Sequence, residues 1–108
     1  MAFADTLKTL PSVTHLSALI LSDAASGDLV HTIENKPGQI GSLTVYSHLA
    51  QTFGAITPEA ARHGLALYGE HTDDARANPG KHPNVDRLIA LIASGRSLHV
   101  NTVLAGAA

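Results

Sequence analysis

Residues 14–34, "THLSALILSDAASGDLVHTIE", decide the fold. The segments 14–22 and 28–34 are rich in strand-forming residues, and the polar connection "DAASG" with its glycine lets them fold back on each other as a hairpin. Apolar residues occupy both parities of the first segment, Leu16, Ala18 and Ile20 against Leu19 and Leu21. That pattern predicts a central strand covered on both faces. The second segment mixes Val30, Thr32 and Glu34 with Leu29, His31 and Ile33, as a partly exposed strand does.

Downstream of "NKPGQIGS" (35–42) the apolar period lengthens. Leu43, Tyr46, Ala50 and Phe53 fall on one helical face, with Ser42 as N-cap and Gly54 past the end, which predicts a helix over 43–53. Thr57 followed by Pro58 starts a second helix, expected to run to Arg76. A third begins near Asn84 or Val85, carries Val85, Leu88, Ile89 and Ile92 on one stripe and stops at Gly95. "SLHVNTVL" (97–104) alternates as a third strand, and residues 3–9 read as a short N-terminal helix ended by Pro11. The expected fold is α+β, a small antiparallel or mixed three-stranded sheet with three helices in the order ββαααβ.

Composition narrows the function classes. The 108 residues make a single domain, 1–108, and 15% of them are charged. An average globular domain has roughly 25%, so less charged surface keeps copies apart and a homodimer is expected. The formal net charge is −2, with no basic stripe, which argues against nucleic acid and anionic membrane as partners. Absence of cysteine excludes disulfides, thiolate zinc sites and cysteine nucleophiles. The first residues lack the basic start and apolar run of a secretion signal, and no apolar window approaches the length of about 18 that spans a membrane. A soluble, cytoplasmic protein is expected.

Two stretches carry chemistry. In "YGEHTDDARANPGKHPNVDRL" (68–88), Glu70 and Asp74 are four apart and His71 and Asp74 three apart, spacings at which helical side chains meet. The break "NPGKHP" turns the chain and can return His82 towards His71. Imidazole and carboxylate are ligands that zinc and other divalent ions accept, and a carboxylate also orients an imidazole for proton transfer. Glu70, His71, Asp74 and His82 are therefore the candidate metal ligands or acid–base groups. The same residues also read as a solvated helix face next to an ordinary Pro-Gly turn, and their spacing matches no strong zinc signature.

The second stretch is "ENKPGQIGS" (34–42), where a strand enters a glycine-containing loop and the loop enters a helix. Lys36, Gly38 and Ser42, with the loop amides, form a candidate anion-binding set. Lys36 precedes the glycines, so the phosphate-loop signature of nucleotide triphosphatases is not met. The bland alternative is a connection that uses Pro37 and Gly38 for a turn. His15, His31 and His99 fall on three predicted strands, and a hairpin centred near Ala25 sets His31 opposite Leu19, on the face of His15.

The segments 33–56 and 64–88 resemble a small bacterial family known as domain of unknown function 2322. Glu34 to Gly38, Tyr46, Tyr68 to Ala75 and Pro79 to Leu88 carry the likeness, which extends over nearly the whole chain. The resemblance implies a bacterial, cytosolic, stand-alone domain and brings no activity, substrate or cofactor with it. Three functions follow from the residues: a binding module for a small anionic ligand or a divalent metal through 68–88, a small metal-assisted or acid–base enzyme using His71 and His82 with Glu70 and Asp74, and a dimeric interaction protein without a small-molecule site. The first is the reading preferred here.

Overall fold

The computed structural model describes residues 2–106. A short helix α1 (Phe3–Leu7) precedes the hairpin of β1 (Leu16–Asp23) and β2 (Leu29–Glu34). Four helices follow, α2 (Ile40–Phe53), α3 (Pro58–Tyr68), α4 (Glu70–Ala77) and α5 (Pro83–Ser94), and β3 (Leu98–Leu104) closes the domain. The sheet is wholly antiparallel in the order β2-β1-β3, so the first strand is central and the class is α+β, as the sequence indicates.

Asp23 makes the hairpin turn. Its Oδ1 accepts hydrogen bonds from the N–H groups of Ala25 and Ser26, both at 2.9 Å, and Gly27 takes a φ of 80° that a side chain disfavours. His31 lies opposite Leu21 instead of Leu19, and the register is irregular between Leu21 and Ser22. His99 lies opposite Ser22 on the far side of β1, and His15 precedes the strand. Neighbouring residues of a strand face opposite ways, so His31 and His99 are on different faces and the strand histidines do not converge.

Among the described residues, helices cover only one face of the sheet. Leu19, Leu21 and Ile33 are fully buried with Leu43, Tyr46 and Leu49 of α2 and Leu88 of α5, while Ala18, Ile20 and Ser22 on the other parity stay half-buried. Coverage of both faces, expected from the apolar residues at both parities, is therefore absent. All the longer helices stack on the same side, and hydrophobic β1 residues on the open face are screened mainly by their strand neighbours. Leu29, Val30, Val103 and Leu104 of the flanking strands remain exposed.

The expected helix 57–76 is broken in two. Thr57 caps α3 by accepting from Ala60 N–H, as its sequence suggests, but Gly69 adopts φ 57° and ψ −119° and ends it after Tyr68. That backbone geometry is open to glycine and to few other residues. Thr72 then ties α4 back to α3 with a 2.6 Å bond to the Leu65 carbonyl. Periodicity alone did not show the break because Leu65, Tyr68, Thr72 and Ala75 are buried in either geometry. At the next helix up the chain the difference is smaller: α2 begins at Ile40 with Gln39 as N-cap, and Ser42 lies within its first turn. None of the helices among the described residues is long and apolar enough to cross a membrane.

Candidate functional site

The loop from β2 to α2 is pinned at several points. Asn35 Nδ2 donates to the carbonyls of Leu16 at 2.7 Å and Val13 at 3.3 Å, and Gln39 Oε1 accepts from Glu34 N–H. Gly38, with φ 87°, turns the chain into α2. No side chain caps that helix, and the N–H groups of Ile40, Gly41 and Ser42 find no acceptor among the described residues. These are the donors that every helix leaves open at its start, at the positive end of its dipole.

Opposite this loop stands the 68–88 region. Asp74 Oδ2 lies 2.6 Å from His82 Nε2 and 2.9 Å from Lys81 Nζ, and Asp74 Oδ1 accepts from Asn78 Nδ2 at 2.9 Å. The bond from His82, then that from Lys81, holds the Asp74 carboxyl down to a pKa of about 2. An ionised carboxylate can only accept, so His82 Nε2 carries the proton in this pair and Nδ1 is its remaining polar atom. The turn itself is secured by Asp86 in the first turn of α5, whose Oδ2 accepts from Gly80 N–H at 2.9 Å.

His71 meets His82 edge to face, with ring centroids 5.2 Å apart. Phe3 packs against both Tyr68, at 5.1 Å, and His71, at 4.9 Å. Glu70 bonds to neither histidine, and its Oε1 accepts from Phe3 N–H at 2.8 Å. Bonds from its own N–H and from that of Phe3 lower the Glu70 pKa. Two buried tyrosines brace the helices: Tyr68 donates to Ser42 Oγ at 2.7 Å and Tyr46 to the Asn84 carbonyl at 2.6 Å. Burial raises both phenols, Tyr46 to about 12, so both keep the proton they donate.

A cavity of about 390 Å³ separates the two regions. Gly38, Gly41 and Ser42 form one side, and His71, Lys81, His82 and Asn84 the other. Fold and turn thus bring together two stretches that are more than twenty residues apart in the chain. Lys36 lies outside this cavity, paired with Glu34 at 2.5 Å, and borders a neighbouring one. The four acid and histidine candidates are distributed differently: His71 and His82 face the cavity, Asp74 backs His82, and Glu70 holds α1. No group of three or more metal-ligating side chains is placed to hold an ion among the described residues.

Several contributors carry little signal in the sequence. Lys81 and Asn84 flank His82, and a helix starting at Pro83 was the signal that could have drawn attention to them. Phe3 left no local signal, since it joins the site through tertiary packing across 67 residues.

No curated protein and no solved structure matches this chain. A family model described as an uncharacterised protein conserved in bacteria (DUF2322) matches residues 3–102. That span takes in β1, β2, the five helices among the described residues, β3 as far as Thr102 and every lining residue of the cavity, and the chain belongs to this family.

Proposed function

We propose that the protein binds a small anionic molecule in the cavity between the start of α2 and the 68–88 turn. One observation carries this reading: the first turns of α2 and α5 open on the same cavity as Lys81, His71 and His82. Helix N-termini favour negative charge, and the unsatisfied N–H groups supply directional donors. From α5 the available donor is Asn84 N–H, because Pro83 has none and the N–H groups of Val85 and Asp86 bond to the His82 carbonyl. The cavity is of the size that holds a small metabolite.

Thermal denaturation with inorganic phosphate and with short carboxylates tests the reading. A ligand selective for the folded state, at about a hundred times its Kd, adds about 2.7 kcal/mol of stability. The expected result is a rise in Tm that is lost in Lys81→Ala and reduced in His71→Ala. A Tm indifferent to every anion tried would sink the proposal.

The 2.6 Å contact between Asp74 and His82 favours a second reading, in which the bound molecule also undergoes acid–base chemistry. A carboxylate that fixes an imidazole proton on one nitrogen leaves the other to accept or deliver one. A divalent ion such as zinc at His71 and His82 would need ligands from the bound molecule or from water. Elemental analysis of untagged protein against His71→Ala decides that point. Self-association through the open face of the sheet would give the interaction-protein alternative, and sedimentation of the purified chain tests it.

A further inference from the structure

Beside the first cavity lies a second, of about 440 Å³, bordered by His31, Glu34, Lys36, Gln39 and the Pro83–Asn84 pair. Pro83 and Asn84 border both cavities, so the first turn of α5 is the wall they share. The 36–42 loop also runs along both, with Lys36 and Gln39 at the second and Gly38, Gly41 and Ser42 at the first.

Arg87 stands behind that wall. It is half-buried, and its Nη1 donates to Asn84 Oδ1 at 2.7 Å and to Tyr46 Oη at 3.2 Å, with the guanidinium 5.7 Å from the Tyr46 ring centre. Both partners are neutral, and no carboxylate pairs with Arg87 among the described residues. Both bonds of Arg87 come from one nitrogen, and the rest of its fork of five donors stays open to solvent or to a ligand. Its field reaches His31 on the far wall of the second cavity, whose pKa is lowered by burial first and then by Arg87. Lys36 is the cation on the border of that cavity, and Arg87 itself lines neither cavity. Glu34 is the one acid, and it pairs with Lys36.

We infer that the two cavities form one bipartite site for a short dianion, with one anionic group at the start of α2 beside Lys81 and the other at Lys36, in the field of Arg87. This rests on the anion-binding reading above and specifies its ligand class. A single anion occupies the first cavity only and leaves the second, with Lys36 on its border, unfilled.

Isothermal titration of the full chain tests it, using dicarboxylates and phosphonocarboxylates of increasing length against monoanions of the same lengths. One span of dianion is expected to bind at least about tenfold more tightly than its monoanion, equivalent to about 1.4 kcal/mol. Lys36→Ala should lower the dianion affinity to that of the monoanion, whereas Glu34→Gln, which frees Lys36, should raise it. Both side chains are about half exposed and neither belongs to the buried core, and circular dichroism can verify the fold. Dianions that bind no better than monoanions overturn the bipartite site while leaving the single-anion reading in place. A dianion advantage that survives Lys36→Ala unchanged also overturns it. Absence of binding by every compound defeats both readings.

Discussion

Among the described residues two pairs of histidines sit side by side, and one of them borders a cavity with a carboxylate behind it. His71 and His82 have ring centroids 5.2 Å apart; His48 and His63, on α2 and α3, have theirs 5.9 Å apart. The second pair packs with Phe53 at 5.7 Å from His63, and no carboxylate bonds to either ring among the described residues. The first pair has Asp74 behind it, Lys81 next to it and a cavity in front. Proximity of two imidazoles is thus the lesser ingredient. A charged partner that orients the ring and a concavity that admits a ligand make the difference.

The largest expected contrast between the pairs is in ligand response. His82→Ala should abolish most of the anion-dependent rise in Tm, a loss approaching about 2.7 kcal/mol at saturating ligand, while His63→Ala should keep it. Equal loss in both variants, followed by denaturation across a phosphate titration, would erase the distinction. Gly64→Ala should instead strike the scaffold beneath both pairs. An added Cβ would lie 2.8 Å from Cδ1 of Leu49 and of Leu88, on the helices that place His48 and His82. Both obstacles are the ends of flexible side chains, so a cost of about 1–3 kcal/mol is expected in urea denaturation, with the fold retained.

A smaller effect should come from Thr57→Ala, which removes the side-chain acceptor of Ala60 N–H at the start of α3. About 1 kcal/mol of stability is expected to go, with the ligand response at His71 and His82 unchanged. The smallest is an acid-limb effect specific to the first pair. Asp74 has its pKa lowered from 3.8 to about 2 in the folded chain, so its ion pairs contribute fully above the unfolded value and are lost as pH falls towards 2. Stability of Asp74→Asn should therefore fall less steeply than that of the natural chain across this window. Parallel acid titrations followed by circular dichroism check the slope. Identical slopes would mean that the Asp74 contacts add nothing in solution.

Much of the architecture was legible because its signals are local. The two strand-forming runs of 14–34 with the polar turn between them, the Thr57-Pro58 start of α3 and glycines past the ends of α2 and α5 act within a few residues of themselves, whereas the parity of the first run misled about the open face. Gly69 was ambiguous for the converse reason. A glycine within an apolar stripe is compatible with a continuous helix, and only the packing of α4 on α3 selects the positive φ that breaks it. The break matters to the site, because it directs Glu70 to Phe3 and leaves His71 with His82.

The sequence by itself determined the α+β class, the central hairpin, the family and the two stretches worth testing, since each depends on periodicity or on spelling along the chain. Tertiary structure alone decided that those stretches share one cavity, that Lys36 belongs to its neighbour and that Arg87 packs behind Asn84 with no carboxylate partner among the described residues. Side chains distant in the chain meet only when helices with buried faces are stacked on one sheet, and hydrophobic burial drives that stacking without encoding which polar groups it will bring together.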